Sequence, residues 1–261
     1  MEEAEKPRGF WLVVWDWITT IPTLLSFGVV FVIADVTLRV ARLFGEHSVE
    51  VAAGVMQRVL IWAFFPSGVR VKIERDPEVR NDRPYILVSN HQSFFDVPII
   101  GGVLFSNFPK YIAKKELSKW IPFVSYNLRR GGNAIIDRSA GRDAVRVIRE
   151  FGKHCQERGV SAVIFPEGSR SRDGHLKEFK PVGVVQLMKA APDMDVVPTT
   201  IDGSWRLLTH KMFPIPFGTR VRVSFGRPIL REAGQQAEDV VVQVREVIAA
   251  NLDHWRIEPA T

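Results

Sequence analysis

The feature that most restricts this chain is a run from Trp17 through Ala34 in which no side chain carries a charge. A helix needs about 20 predominantly apolar residues to cross bilayer hydrocarbon, so the run approaches a full span, although Pro22 and Gly28 interrupt it. Trp11, Trp15 and Trp17 gather at its front edge, where amphipathic indoles favour the headgroup level, and Arg39 and Arg42 follow its far end. The sequence therefore predicts a membrane-anchoring helical segment over 1–65, as an embedded helix or a re-entrant pair. An interfacial helix and a buried soluble helix are the other readings of the same run. The basic flank puts the remainder of the chain on the cytoplasmic face. The opening Met1-Glu2-Glu3-Ala4-Glu5 is acidic and no small-residue cleavage site follows, which fits a retained anchor better than a cleaved leader.

From about Val69 the pattern changes to short β-branched runs alternating with amphipathic helical stretches, the mark of an α/β layered domain over 66–261. Strands are expected at Val69–Ile73, Tyr85–Val88, Ala134–Ile136, Ala162–Phe165, Val196–Ile201 and Val221–Phe225. Val145, Ile148, Phe151 and Cys155 recur at helical spacing and close before Gly159, while Val240, Val241, Val244, Val247, Ile248, Leu252 and Trp255 form a second stripe. Both stripes read as core. Ahead of Pro66-Ser67-Gly68, the apolar piece Val59–Phe65 is either a buried helix end or a second membrane contact.

The whole chain has 261 residues, 35 Lys plus Arg against 29 Asp plus Glu, and one cysteine. One cysteine excludes an internal disulfide and any multi-thiolate metal site. The net charge of +6 favours anionic company, which is nucleic acid, an acidic membrane or a phosphorylated small molecule.

Polar residues concentrate where expected strands end. Ser89-Asn90-His91-Gln92-Ser93-Phe94-Phe95-Asp96 follows the second strand, and the carboxyl ends of strands are where α/β sheets carry function. Five residues apart on one helix, His91 and Asp96 would point about 140° away from each other. They meet only if His91 sits in the loop and Asp96 in the first helical turn. There the carboxylate can fix the imidazole tautomer and leave the other nitrogen as a base. From spacing alone, a capping Asp beside an ordinary loop His is the competing reading. No G-x-S-x-G supplies a nucleophile, and Cys155 lies on a core face, so the attacking hydroxyl belongs to a substrate. The second constellation, Phe165-Pro166-Glu167-Gly168-Ser169-Arg170-Ser171-Arg172-Asp173-Gly174, forces a turn in which hydroxyls, backbone N–H groups and guanidinium forks can face one anion. A polar surface turn is the alternative. Gly131-Gly132-Asn133-Ala134-Ile135-Ile136-Asp137-Arg138 delivers another arginine to a strand end, for an anion or for Asp137 or Asp143.

In this order, the pieces resemble the glycerolipid acyltransferase family, in particular bacterial lysophosphatidic acid acyltransferases. Asn90 to Asp96 is similar to the family's NHxSxxD block, and Gly132 to Arg138 to its G-x-x-x-I-D-R block. Phe165 to Ser171 is similar to FPEGTRS with Ser169 for Thr, and Val197-Pro198-Thr199 to a late V-P-[VI] block with Thr at the third place. Lys114-Lys115-Glu116-Leu117, followed by Ile121-Pro122, resembles the segment between the first two. The resemblance implies an α/β fold with a mixed sheet flanked by helices, His91 as general base and Asp96 as its partner. It implies substrate contacts from Ser93, Lys114, Arg138, Glu167, Gly168, Ser169 and Arg170. It also implies acyl transfer from acyl-CoA or acyl carrier protein to lysophosphatidic acid, at membrane lipid and with no cofactor. Gly183 falls one residue later than the family's F-K-x-G, which leaves another lysophospholipid or a lyso-aminolipid as an alternative acceptor. A non-catalytic membrane-binding module is the rival from another class.

Other chemistries find no pattern. The six histidines show no metal-ligand spacing, and Gly131-Gly132 is not a dinucleotide loop. Basic residues interleave with acids, against nucleic-acid binding. Phe213-Pro214-Ile215-Pro216-Phe217 reads as a buried crossover in preference to a lip in lipid.

Overall fold

In a computed structural model, which describes residues 9–119, 121–137, 141–231 and 235–257, the uncharged run lies within one helix, α1 (Phe10–Ala41). Its 32 residues, at about 1.5 Å each, reach roughly 48 Å. Pro22 and Gly28 are absorbed inside α1, so the run is one continuous helix and not a re-entrant pair. After a turn at Gly45 the chain folds back as α2 (Glu46–Trp62).

Over its first half α1 is inverted relative to a soluble helix, and only farther on do Phe27, Ala34 and Leu38 enter the core. Asp16, Thr19, Thr20 and Thr23 are buried, while Ile18, Ile21, Leu25, Val29, Val32 and Val36 are exposed. The inward hydroxyls and carboxylate find partners: Ile215 N–H donates to Thr20 Oγ1 at 2.8 Å, and Phe217 N–H to Asp16 Oδ1 at 2.6 Å. The expected crossover at 213–217 is thus buried only at Ile215 and Pro216, where its backbone is tied to α1, while Phe213 and Phe217 remain exposed. Both α1 and α2, with the short turns after them, are long and apolar enough to cross a membrane. The charged Glu50 of α2, however, turns inward to Lys110 and Arg158. In the 59–65 piece Leu60, Ala63 and Phe64 are buried, as the helix-end reading expects, and Trp62 and Phe65 are exposed.

Seven strands among the described residues form one sheet: β1 (Arg70–Arg75), β2 (Tyr85–Ser89), β3 (Lys110–Lys114), β4 (Ala134–Ile136), β5 (Ala162–Ile164), β6 (Asp195–Asp202) and β7 (Arg220–Phe225). The spatial order is β1-β7-β6-β2-β5-β3-β4, parallel throughout except where β6 meets β7. The sheet is mixed, as the resemblance implied. Strand β2 is buried on both faces, and its alternating side chains divide the core. Tyr85 and Leu87 join the cluster that holds Phe27, Leu38, Val49, Leu60, Phe95 and Ile99, so the N-terminal helices share this core with the sheet. Ile86 and Val88 join the opposite cluster, built with helices α5 (Arg142–Arg158), α6 (Pro181–Ala190) and α7 (Ala237–Ile257). The remaining helices, α3 (Asp96–Val103) and α4 (Val124–Arg130), follow β2 and precede β4.

Candidate active site

Strands β2 and β5 are parallel neighbours, so the loops leaving their carboxyl ends lie side by side. Asp96 opens α3, which leaves His91 in the loop before it. In this arrangement His91 Nδ1 lies 2.8 Å from Asp96 Oδ2. The same oxygen accepts the Gln92 N–H at 2.7 Å and the Ser93 N–H at 2.9 Å, while Oδ1 accepts the Ser204 hydroxyl at 2.6 Å. A carboxylate only accepts, so Nδ1 carries the proton and a neutral imidazole keeps its lone pair on Nε2. Asp96 is wholly buried, whereas the His91 side chain retains 17% exposure. The capping reading does not hold, since no side chain caps α3: the Asp96 carboxylate instead gathers the turn ahead of the helix, through Gln92 and Ser93, and holds the imidazole.

The 165–174 loop fixes His91 from the other side. Its ring stacks on Phe165 with centroids 4.1 Å apart, its N–H donates to Glu167 Oε1 at 2.9 Å, and its carbonyl accepts the Ser171 N–H at 2.7 Å. Asn90 anchors the preceding residue, exchanging two 2.8 Å hydrogen bonds with the Ile201 backbone on β6. Gly168 has φ +71, a left-handed conformation that lets the loop turn upward behind Glu167. Glu167 itself is buried, which pushes its carboxyl up from 4.5 to about 7, and its Oε2 has no partner among the described residues. Removal from water favours the proton and outweighs the His91 N–H and the nearby Lys177, which act the other way.

The anticipated substrate contacts divide into inner and outer groups. Ser93 is fully buried and its hydroxyl accepts the Phe95 N–H, so its side chain serves the turn. Glu167 likewise faces inward, toward the His91 peptide, and is not placed to hold an anion on the open face. Ser169 and Arg170 are exposed, and the Arg170 guanidinium lies 5.7 Å from the Phe94 ring, beside the His91 loop. Lys114 is exposed at the carboxyl end of β3. With β5 between them, β3 lies two strand spacings from β2, about 10 Å along the same rim. Arg138 lies outside the described residues.

Three contributors escaped the sequence reading. Lys177 donates to Ser169 Oγ at 3.1 Å and to the Arg170 carbonyl at 2.7 Å, adding positive charge to the rim. Phe165 supplies the stacking surface. Ser204 reaches Asp96 from 108 residues downstream, a separation that no local spacing encodes. Cys155 offers no nucleophile, since full burial pushes its thiol up to about 12. The arrangement can remove a proton from a hydroxyl at Nε2 and hold a nearby anion with Arg170 and Lys177.

A family model described as Acyltransferase matches residues 50–202. A 1-acyl-sn-glycerol-3-phosphate acyltransferase of Limnanthes douglasii is 27% identical over 245 residues, covering 88% of this chain and 78% of that protein. The chloroplastic 1-acyl-sn-glycerol-3-phosphate acyltransferase LPAT1 of Arabidopsis thaliana is 31% identical over 176 residues, 66% of this chain and 46% of that protein. Among solved structures, the 1-acyl-sn-glycerophosphate (LPA) acyltransferase PlsC from Thermotoga maritima superposes with a TM-score of 0.65 at 24% identity. The match covers 96% of this chain and 97% of that one, and shows a shared fold.

Proposed function

Because the chain belongs to the acyltransferase family, we propose that it moves a fatty acyl group from a thioester to the free hydroxyl of lysophosphatidic acid, forming phosphatidic acid. The observation that carries this reading is the 2.8 Å contact between the half-open imidazole of His91 and the buried carboxylate of Asp96. His91 Nε2 takes the proton of the acceptor hydroxyl as its oxygen attacks the thioester carbonyl carbon. Asp96 stabilises the resulting imidazolium. The tetrahedral intermediate collapses by breaking its carbon–sulfur bond, and the imidazolium returns the proton to the departing sulfur. No acyl-enzyme is needed, which agrees with the buried, protonated state of Cys155.

The acceptor's phosphate is read by Arg170, Lys177 and Ser169, with Lys114 farther along the rim and Arg138 assigned by resemblance. Guanidinium and ammonium groups around one open face favour an anionic headgroup over a neutral one. The names of the plant relatives support the same acceptor. The donor is acyl-CoA or an acylated carrier protein, neither of which demands a cofactor. The outer stripe of α1 seats the enzyme in lipid at the cytoplasmic face, a reading supported by its exposed Ile, Leu and Val residues and by Arg39 and Arg42 at its end.

Thiol release measured with purified protein, both donors and a panel of lyso-acceptors tests the proposal. Lysophosphatidic acid should give the highest kcat/KM. A preference for a phosphate-free acceptor, or no transfer to any, would overturn it.

A further inference from the structure

Asp96 receives its contacts unevenly. Three of them, from His91, Gln92 and Ser93, fall on Oδ2 and come from the turn that Asp96 itself closes. Among the described residues, the sole hydrogen bond to Oδ1 comes from Ser204, on the short helical turn that follows β6. The torsion that rotates a carboxylate is broad, so contacts on one oxygen leave its plane loosely determined. A second, distant donor on the other oxygen removes that freedom.

We infer that Ser204 is a positioning residue of the acyl-transfer site, whose hydroxyl sets the plane of the Asp96 carboxylate and thereby aims the His91 imidazole. The inference rests on His91 serving as the base. Both Ser204 and Asp96 are wholly buried, and the 2.6 Å contact is short, as expected for a hydroxyl donating to an anion. The backbone before Ser204 is built for this placement. Gly203 has φ +84, and a Cβ there would sit 2.2 Å from the Arg220 carbonyl of β7, so the turn passes through a gap that excludes any side chain. Farther on, the same segment is fastened to α1 through Thr20 and Asp16. Ser204 is therefore presented from a support held at both ends.

The ionisable groups facing the pair are His91 from the loop before α3 and Glu167 from the loop after β5, with Asp202 one link away through Gln92 at 3.3 Å. Removing the hydroxyl donor leaves more negative charge on Asp96 to attract a proton, whether on the imidazole or on the carboxylate. The acid limb of kcat/KM against pH then moves to higher pH.

Four purified variants test this: Ser204→Ala, Ser204→Thr, Thr209→Ala and His91→Ala. Thr209 is exposed on the same segment and among the described residues its hydroxyl bonds the Arg206 carbonyl, so it reports loosening of the segment without loss of the Asp96 contact. A hydrogen bond to a charged group corresponds to about a tenfold to hundredfold effect. Ser204→Ala should lower kcat by that factor, leave both KM values within about twofold and displace the acid limb upward. Ser204→Thr, which keeps the hydroxyl, should recover most of the rate and the original limb, and Thr209→Ala should match wild type. An unmoved acid limb in folded Ser204→Ala, or equal losses in Ser204→Ala and Thr209→Ala, would overturn the inference. Activity surviving in His91→Ala would instead remove the base on which it rests, a separate and distinguishable result.

Discussion

Helices α1 and α7 are both long, but they are built in opposite senses. Along α7, Val240, Val241, Val244, Ile248, Leu252 and Trp255 face the core, and its charged residues face outward. Along the first half of α1, Asp16, Thr19, Thr20 and Thr23 face the protein, followed by Phe27, Ala34 and Leu38, while Ile18, Ile21, Leu25, Val29, Val32 and Val36 face outward. The hydrophobic effect explains α7 in water. The outer stripe of α1 is what a helix facing lipid would carry, since there an apolar stripe needs no cover, and its inward hydroxyls meet backbone donors such as Ile215 N–H. The direction in which polarity points, more than the total apolar content, separates an anchor from a core helix.

The sharpest way to break this comparison is to place the same charge on both helices. Val244→Asp buries an unpaired carboxylate at a site with no exposure, and several kcal/mol should be lost, enough to prevent soluble folding. Val29→Asp, on the outer face of α1, should leave the melting temperature in detergent nearly unchanged while reducing vesicle binding about a hundredfold. Equal effects on folding would show that α1 is an ordinary packed helix. Where α1 does enter the core, the cost returns. Phe27 packs edge-on to Phe64 at 4.8 Å and against Phe95, the residue before Asp96, at 5.3 Å. Phe27→Ala should cost about 3–5 kcal/mol in denaturant unfolding.

A smaller effect is expected at the polar contacts of α1. Thr20→Val retains the shape but strands the Ile215 N–H, a loss of about 1–3 kcal/mol measured in detergent. The last effect is read as a change of slope with pH and belongs to Glu167. Its carboxyl is pushed up from 4.5 to about 7, so over that interval the folded protein holds a proton that the unfolded chain has released. The associated stability is whole below 4.5 and is lost as pH rises through about 7. Glu167→Gln should flatten the stability profile across this window, and an unchanged slope would assign it to other groups.

Much of this architecture was legible in the sequence because it rests on local pattern. β-Branched runs marked β1, β2 and β4 to β7, and the helical requirement for Asp96 followed from the five-residue interval to His91. Strand β3 was not marked, since Lys110-Tyr-Ile-Ala-Lys114 has lysines at both ends, and its strand character comes from pairing with β5 and β4. The inversion of α1 was hidden because an uncharged run shows which residues are apolar but not which threonines meet distant backbone donors. At the site, contacts within a turn were readable, whereas Ser204 on Asp96 and Glu167 on the His91 peptide depend on loops joined only in the fold.

The base itself is the claim on which the chemistry stands. Thiol release by purified His91→Ala, presented with acyl thioester and lysophosphatidic acid and compared with wild type, addresses it most directly. The account predicts a fall of about 10²–10⁴ with an unaltered melting temperature. A folded variant that retained turnover within a few-fold of wild type would contradict it.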